Sequence, residues 1–384
     1  MLDVLIVSLG STGGLRAVDA ELLASLRRAG ASAEIVCAEP PRSVRTLMLN
    51  DLLWALAARR AARRALAREP ARAVIYSTTT AALLWPRRGA IRFDALAAAN
   101  RPGRHGLWQR PLERRRLREA TLLLPQSEGA LAEAPGVCAR RVGDDGVIVL
   151  PVPVEPSAPV GPSAPPLTAS PPGPLSASLP VPPPTSPSAP PSAPLPAGRD
   201  VAAITYAANP AKKGLDVLLA AWARARRPGE DLWVAGVAED DLRAQGYSLP
   251  AEGVRVVGTL PPLEYRALLR RTRVYVCAAR REDYGIAQLE ALADGCVLVT
   301  VPSPGPYTAL PLARELDERL VGEDVAGALR TALDDPLPGY AERALELLAP
   351  FRREVTDLLV SSELLPRFLG QPGEVTPAAR VGDV

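Results

Sequence analysis

Two glutamates in the second half of the chain have a spacing that suits the binding of a ligand. Glu282 and Glu290 lie eight positions apart, in a stretch that also contains helix-forming residues and a glycine. Carboxylates accept hydrogen bonds, so two acids that converge on one place can hold a ligand there. A single glutamate is more often a solvated surface acid. The interpretation as a site therefore depends on the elements that position the pair.

The residues around the two glutamates predict a strand, a loop, a helix and a second strand. Residues 274–277 have the pattern of a buried strand, and residues 297–300 have it again. Residues 286–293 between them predict a helix with one apolar face. In such a βαβ unit, ligands bind beyond the carboxyl ends of the strands, at the loops and the helix N-termini. Glu282 falls in that loop and Glu290 on that helix.

A similar unit earlier in the chain places a lysine at the corresponding turn. Residues 201–206 predict a strand and residues 215–225 a helix, and the loop between them contains Asn209 and Lys213. A lysine at this position is well placed to bind a diphosphate, because its charge and the free N–H groups of the helix N-terminus face the same anion.

The first half of the chain opens with a predicted strand and a glycine-rich turn that contains Gly13 and Gly14. Such a turn can face a phosphate or a sugar, or it can be a tight turn that only needs glycine, and both interpretations remain open. An NAD-dependent oxidoreductase would require G-x-G-x-x-G after the first strand, and the turn lacks that pattern. We therefore rank that function low.

Polar residues follow the predicted strand at residues 90–93. Asp94 comes directly after it, and Asn100 and His105 lie in the loop that leads into a basic helix. Such a mixture can hold a polyhydroxylated or anionic acceptor. A structural loop contact is the alternative for His105.

The composition restricts the class of protein. Its 384 residues suggest two domains, and 47% apolar and 23% charged residues are globular values. A net charge of +3 gives no support for nucleic-acid binding. The four cysteines are far apart and there is one histidine, so neither a metal site nor a cofactor is predicted. No apolar run approaches the ~18 residues of a membrane span and no signal-peptide pattern begins the chain, which predicts a cytoplasmic protein.

A basic helix raises the question of membrane contact. Residues 44–68 predict a helix with five arginines in its C-terminal half. These arginines are Arg59, Arg60, Arg63, Arg64 and Arg68. They form either a solvated face that complements the helix dipole or a peripheral contact with anionic lipid at the inner face of the membrane.

The order of strands and helices predicts an α/β fold with two Rossmann-like, doubly wound domains that face each other across a cleft. The first domain covers residues 1–150, with a sixth strand at 147–152, and the second covers residues 199–369. Residues 151–198 hold nineteen of the 42 prolines and predict an extended or disordered linker. Residues 370–384 predict a loose tail.

The stretch that begins at Glu282 resembles the glutamate signature of the retaining glycosyltransferase family 4, the glycosyl transferases group 1. In that signature a glutamate, seven residues and a second glutamate are followed by Ala-hydrophobic-Ala-x-Gly and an apolar strand. Glu282, Glu290 and Gly295 match it. Lys213 resembles the lysine of the family's donor-phosphate element, but the arginine expected five positions earlier is Ala208 here.

The resemblance, which covers nearly the whole chain except the linker, implies a GT-B fold and a metal-independent, hexosyltransferase-like enzyme. A nucleotide-diphosphate sugar would bind in the second domain, and a glycan, lipid or small-molecule acceptor in the first. Glu290 would hydrogen-bond the donor ribose. Glu282 would orient the sugar or stabilise an oxocarbenium-like transition state, and Lys213 would neutralise the leaving diphosphate.

The residue assignments combine this resemblance with the positions described above. For catalysis we predict Glu282 and His105. For donor binding we predict Lys213, Glu290, Gly285, Tyr284, Ile286, Asn209, Gly258 and Leu260. For the acceptor side of the cleft we predict Gly13, Gly14, Asp94 and Asn100. Because Ala208 removes a cation, a nucleotide-sugar-binding protein with lost or weak activity is the alternative function.

Overall fold

The structure is a computed structural model. It describes residues 1–370 apart from residues 43, 45, 102, 135–145, 158–197 and 250. Most of the proline-rich segment, the tail predicted after Gly370 and Cys138 therefore lie outside the described residues.

Five parallel strands form the sheet of the first domain. They are β1 (Leu2–Ser8), β2 (Ala33–Cys37), β3 (Ala71–Tyr76), β4 (Ala90–Phe93) and β5 (Leu123–Pro125), in the spatial order β2-β1-β3-β4-β5. The central strand β1 carries residues 4–7 with no exposed surface. Its continuous apolar pattern is that of a parallel strand with both faces covered.

Helices connect these strands and cover both faces of the sheet. They are α1 (Gly13–Arg28), α2 (Leu47–Arg68), α3 (Thr79–Ala82), α4 (Ala97–Asn100), a 3₁₀ turn (Gly103–Gly106), α5 (Gln109–Glu119) and α6 (Glu128–Ala132). Helix α2 buries a face of alanines, including Ala58 and Ala62, and leaves Leu49 exposed. Small side chains let the helix lie close to the sheet.

The second domain has a five-stranded parallel sheet of its own. Its strands are β6 (Val201–Tyr206), β7 (Leu232–Ala235), β8 (Val254–Gly258), β9 (Thr272–Cys277) and β10 (Val297–Thr300), in the order β10-β9-β6-β7-β8. The order reverses between β6 and β9, and such a switch point opens a crevice at the carboxyl ends of the strands.

The helices of the second domain follow its strands. They are α7 (Leu215–Ala225), α8 (Glu239–Ala244), α9 (Pro262–Arg271), α10 (Ile286–Ala293), α11 (Ala309–Asp317), α12 (Val325–Asp334) and α13 (Tyr340–Leu347). Trp222 of α7 is fully buried in the core of this domain.

The sixth strand predicted for the first domain does not form. The segment makes a single bridge, between Val147 and Leu123, and its backbone N–H groups at Ile148 and Leu150 donate to the edge strand β5. It continues as an irregular extended connection, because the next residues leave the sheet for the second domain. There the N–H of Val154 donates to the carbonyl of Phe351.

The end of the described chain packs on the first domain. Helix α14 (Arg353–Leu359) continues through a π turn (Val360–Leu364) into α15 (Leu365–Leu369). Val360 and Leu364 are fully buried against the core of the first domain. The last helix therefore crosses from the second domain back to the first.

These two Rossmann-like domains confirm the fold class predicted from the sequence. Among the residues that the structure describes, no helix combines the length and the apolar character needed to cross a membrane.

Candidate functional site

The loop after β9 positions the first glutamate directly before a helix N-terminus. The strand ends at Cys277, the loop contains Glu282, and Gly285 begins α10 in the left-handed conformation at φ +89°. No side chain among the described residues caps that helix N-terminus. The first N–H groups of α10 therefore face the same crevice as the loop, and they favour an anion.

Glu282 and Lys213, which are distant in the chain, meet in this crevice. Lys213 Nζ lies 2.5 Å from Oε2 of Glu282, and Nε2 of Gln288 donates to the same oxygen at 2.9 Å. The Glu282 side chain is 7% exposed and that of Lys213 is 21% exposed. A carboxylate that is nearly buried requires such partners. Burial raises the pKa of the neighbouring Cys277 thiol, and the charge of Glu282 adds to the effect.

A second ion pair lies beside the first. Lys212 Nζ is 2.5 Å from Oδ2 of Asp283, whose other carboxylate oxygen accepts a hydrogen bond from Nε of Arg281 at 2.9 Å. Asn209 fixes the turn that carries both lysines, because its side-chain oxygen accepts from the N–H of Lys212 and its carbonyl from the N–H of Lys213. Asn209 therefore positions the two ammonium groups.

Two glycines allow the loops of the site to pack this closely. Gly214 has φ +63°, and a Cβ there would lie 1.9 Å from the carbonyl oxygen of Ala278. Gly305 has φ +114°, and a Cβ there would lie 2.2 Å from the carbonyl oxygen of Glu282. Only glycine accommodates both the backbone conformation and the contact. We call the loop of residues 207–214 the lysine loop and the loop of residues 278–285 the glutamate loop. Backbone contacts thus hold these two loops against each other.

Glu290 lies further along α10 and has a different environment. Its carboxylate is 3.6 Å from Nη1 of Arg266, and the side chain is 28% exposed. Burial raises the pKa of Glu290, while Arg266 opposes that shift. The side chain thus keeps access to the crevice with one cation nearby.

The ends of the neighbouring strands leave room near Glu290. Gly258 ends β8 at φ +72°, and a Cβ there would meet nothing within 4 Å. Leu260 is half-buried against the core, and Tyr206 packs edge-on against Tyr265 with ring centroids 5.4 Å apart. Ile286, in the first turn of α10, is also half-buried. These residues lie around one end of the second sheet.

Asp94 faces the second domain from the first. It follows β4 and keeps contact with solvent, and its pKa is raised because the protein around it displaces part of its water and because the charge of Asp283 adds to the shift. Lys212 opposes that shift. The charges of Asp283 and Lys212 in the second domain thus affect the pKa of Asp94, which places this accessible carboxylate in the gap between the domains.

The other residues predicted for the first domain are less closely tied to this gap. Gly13 and Gly14 form the exposed first turn of α1, which Thr12 caps by accepting from the N–H of Leu15 at 3.2 Å. Neither glycine has a positive φ, so a tight turn does not require them. Asn100 ends α4, and His105 is exposed on the 3₁₀ turn without a hydrogen bond to any described residue.

Tyr284, which was predicted to bind the donor, has its side chain engaged within the protein. It is 3% exposed, and its hydroxyl accepts a hydrogen bond from the N–H of Val152 at 2.9 Å. Burial raises its pKa to about 12. Tyr284 therefore connects the glutamate loop with the segment that joins the two domains.

Other contacts across the domains occur beside the same loop. Arg281 Nη2 lies 2.6 Å from Oε1 of Glu133 in the first domain. A Cβ on Gly129 would lie 2.8 Å from Cα of Pro306, so the two backbones are in close contact. The glutamate loop and the segment around Pro306 thus both contact the first domain.

Several residues of this site could not be selected from the sequence alone. Asp283, Arg281 and Arg266 form ion pairs with Lys212, Glu133 and Glu290, which lie on other elements, and Gln288 donates to Glu282. One signal was present: the sequence has consecutive lysines at 212–213 and consecutive acids at 282–283.

Comparisons with known proteins agree with this geometry. Residues 200–335 match the family model described as Glycosyl transferases group 1. A segment of 133 residues is 35% identical to the glycogen synthase of Mycobacterium tuberculosis, and the match covers 33% of this chain and 32% of that protein. The chain thus spans about a third of the length of that curated relative.

The structure is also similar to solved glycosyltransferases. It matches WaaG, a glycosyltransferase involved in lipopolysaccharide biosynthesis, with a TM-score of 0.61 and 14% identity over 96% of this chain and 100% of that one. It matches HepE of Anabaena in complex with UDP and glucose with a TM-score of 0.60 and 12% identity, over 95% and 99% of the chains. The sucrose-phosphate synthase of Thermosynechococcus elongatus gives 0.58 and 16%, over 94% and 97%.

Two Rossmann-like domains that resemble these structures along nearly their whole length define a protein of the GT-B fold. The region that matches the glycosyl transferases group 1, residues 200–335, carries the lysine loop and the glutamate loop.

Proposed function

We propose that this chain is a retaining glycosyltransferase that moves a sugar from a nucleoside diphosphate sugar to a hydroxyl group of an acceptor. The observation that carries the proposal is the meeting of Lys213 with Glu282 at 2.5 Å, at the switch point of the second sheet and beside the free N-terminus of α10. This arrangement supplies positive charge for a diphosphate and a carboxylate for the sugar attached to it.

The reaction breaks the bond between the anomeric carbon and the diphosphate oxygen, and it forms a bond from that carbon to the acceptor oxygen. The leaving diphosphate gains negative charge, which the lysine loop and the N–H groups of α10 stabilise. Glu282 stabilises positive charge on the sugar ring. In a reaction with retention, the acceptor hydroxyl attacks on the face that the diphosphate leaves, and its proton passes to a diphosphate oxygen.

Glu290 is proposed to bind the nucleotide part of the donor, and Asp94 is proposed to bind the acceptor. Glu290 keeps part of its side chain accessible next to the open end of β8, which suits a hydrogen bond to a ribose hydroxyl. Asp94 lies in the gap on the side of the first domain, where a carboxylate can accept a hydrogen bond from an acceptor hydroxyl. The acceptor is proposed only as a glycan, a lipid or a small molecule with a free hydroxyl.

A resident metal ion is not part of the proposal, because ammonium groups and backbone N–H groups take the position next to the diphosphate. Treatment with EDTA followed by gel filtration tests this directly. Transfer that persists at the original rate supports the metal-independent reaction. Transfer that stops, and returns when Mg²⁺ or Mn²⁺ is added, would overturn it.

A donor panel is the experiment that tests the function. UDP-, GDP- and ADP-sugars are compared by their effect on the melting temperature, and the donor that binds is then assayed for hydrolysis and transfer. We expect one class of donor to raise the melting temperature and to be turned over. Glu282→Gln removes the charge but keeps the shape, and we expect it to retain donor binding while turnover falls by 100-fold or more, as for one electrostatic group at a reacting centre (about 10²–10³).

A nucleotide-sugar-binding protein with weak or no transferase activity is the second candidate, and one observation favours it. Ala208 is exposed at the start of the lysine loop, where a further cation would lie close to a diphosphate. This candidate predicts binding of a nucleoside diphosphate sugar without turnover in the native chain, and no difference in turnover between the native chain and Glu282→Gln.

Contact with a membrane remains a proposal for α2. Arg60 and Arg63 lie on its exposed face, whereas Arg64 and Arg68 form ion pairs with Glu39 and Glu34. Flotation with vesicles of phosphatidylcholine and phosphatidylglycerol tests it. Binding that depends on the anionic lipid, and that Arg60→Gln/Arg63→Gln abolishes, supports the contact, and an absence of flotation at low salt overturns it.

A further inference from the structure

The chain uses lysine at only one place. Its 45 basic residues include two lysines, Lys212 and Lys213, and all the others are arginines. Both lysines lie in the loop between β6 and α7, and each Nζ is 2.5 Å from one of the consecutive acids Glu282 and Asp283. An ammonium group is a compact, strongly hydrated charge on a flexible stem, whereas a guanidinium is a planar fork. The loop between β6 and α7 thus carries two ammonium groups, each of which can exchange one ion-pair partner for another.

The two ion pairs differ in the partners that the acid retains if its lysine moves away. Glu282 has Lys213 as its cation and Gln288 as a neutral donor, and its side chain is 7% exposed. Removal of Lys213 would leave an uncompensated, nearly buried carboxylate, which is costly.

Asp283 has two cations. Besides Lys212, it accepts a hydrogen bond from Nε of Arg281, which is also held by Glu133 of the first domain. If Lys212 moves away, Asp283 remains paired with a charge that the first domain keeps in place. Lys212 is also the more exposed lysine, at 36% against 21% for Lys213. Lys212 is therefore the ammonium group that can be released at the lower cost.

The loop offers no other cation for a diphosphate. Between Tyr206 and Gly214 the remaining residues are uncharged, and Arg280, which follows β9, is engaged in a two-oxygen ion pair with Asp216 on α7. From these contacts we infer that Lys212 leaves Asp283 when the donor binds and becomes a direct cation of its diphosphate, while Lys213 stays with Glu282. The inference rests on the proposed function and adds that Asp283 pairs with Lys212 as long as no donor is bound.

The inference predicts opposite effects for the two partners of this pair. The probes are UDP, GDP and ADP, of which the one that the native chain binds best is compared with its own nucleoside. Lys212→Gln should lower the diphosphate affinity about tenfold or more, as for the loss of a hydrogen bond to a charged group. Asp283→Asn should raise it severalfold, because Lys212 no longer has to be released. Neither change should alter the affinity for the nucleoside, since the nucleoside has no phosphate.

The two lysines also permit a direct observation. Reductive methylation with ¹³C-formaldehyde keeps the charge of each lysine, and the labelled chain should give two side-chain signals in addition to that of its α-amino group. Lys212→Arg assigns them by removing one. We expect the Lys212 signal to shift on addition of the diphosphate and to be unaffected by the nucleoside, whereas the Lys213 signal should shift less, because Lys213 stays paired with Glu282.

The outcomes separate this inference from the proposed function. If the native chain binds no nucleoside diphosphate, the proposed function fails. If it binds one and Lys212→Gln binds equally well, or Asp283→Asn binds more weakly, or the signal of Lys213 shifts instead, the function stands and the role of Lys212 is wrong. The melting temperature of each variant shows whether it is folded, and the spectrum decides the question in the native sequence should a variant fail to fold.

Discussion

The two glutamates that define the site are held in different ways. Glu282 is nearly buried with a lysine and an amide as partners, whereas Glu290 has a single cation, Arg266, at 3.6 Å. Burial disfavours the charged form of Glu290 and raises its pKa. A carboxylate that is kept in such a position costs stability, and such a cost is common at functional sites.

The replacement Glu290→Gln should therefore stabilise the chain at neutral pH. The pKa of Glu290 is higher in the folded state than in the unfolded state. The protonated carboxyl therefore stabilises the folded state at low pH, and this stabilisation is lost as the pH rises through the folded-state pKa. We expect the melting temperature of the variant to exceed that of the native chain at pH 7, with the difference disappearing towards pH 4. A lower melting temperature at pH 7 would show that the ion pair with Arg266 outweighs burial.

At the same scale, the sequence predicted those residues whose role follows from local position. Glu282, Lys213 and Glu290 could be selected because each lies at a strand end or on a helix that starts there. The partner of Tyr284 could not be predicted, since Val152 is 132 positions away in a segment with no repeating pattern. Asp283 was missed because it looks like a solvated charge until the two loops are brought together.

At the scale of elements, the site depends on the contact between two loops. Gly214 ends the lysine loop at φ +63°, and a Cβ there would lie 1.9 Å from the backbone oxygen of Ala278. That oxygen belongs to a strand end and cannot move aside as a flexible side chain would. The packing of the two backbones thus determines the distance between the side chains of Lys213 and Glu282.

Replacement of Gly214 by alanine should separate the two loops. The left-handed backbone alone costs about 1–2 kcal/mol for a residue with a Cβ, and overpacking adds about 1–3 kcal/mol. Gly229→Ala is the matched control, because Gly229 also has a positive φ, of +86°, but a Cβ there meets nothing within 4 Å. Urea unfolding should show the larger loss for Gly214→Ala, and donor binding should be lost in that variant alone. Equal losses would mean that the contact with Ala278 is unimportant.

The type of most elements followed from sequence periodicity, whereas their faces and ends did not. Strands β1, β4, β6, β9 and β10 were predicted at or near their positions, because parallel strands buried on both faces are continuous apolar runs. Helix α2 (Leu47–Arg68) was predicted as a helix with a basic C-terminal half, but not its buried face, which consists of alanines, including Ala58 and Ala62. Small residues carry little hydrophobic signal, so close packing of a helix on a sheet is easily overlooked. The segment at 147–152 has a strand pattern but leaves the sheet, because it has to reach the second domain.

At the scale of the whole molecule, the glutamate loop is where the two domains are joined. Arg281 pairs with Glu133, and Tyr284 accepts the N–H of Val152. The returning helices α14 and α15 pack on the first domain at the other end of the chain. The spacing between Asp94 and the lysine loop is therefore fixed both by these loop contacts and by the C-terminal helices.

The hydroxyl of Tyr284 offers a test of this coupling, and Tyr340 supplies a matched control. Both tyrosines are buried, at 3% and 4% exposure, and both hydroxyls accept a backbone N–H, from Val152 and from Leu298. Only the first bond joins the glutamate loop to the segment between the domains. Replacement of either tyrosine by phenylalanine leaves a buried N–H without its acceptor, at a cost of about 1–3 kcal/mol.

The two phenylalanine variants should thus lose similar stability in urea unfolding but differ in shape and binding. For Tyr284→Phe we expect a larger radius of gyration in small-angle X-ray scattering and weaker binding of the donor, because the loop that carries Glu282 is no longer tied to Val152. For Tyr340→Phe we expect neither change, since its bond lies within the second domain. If both variants keep the native radius and the native affinity, the hydrogen bond contributes only to stability, and the ion pair between Arg281 and Glu133 together with the C-terminal helices is sufficient to fix the spacing of the domains.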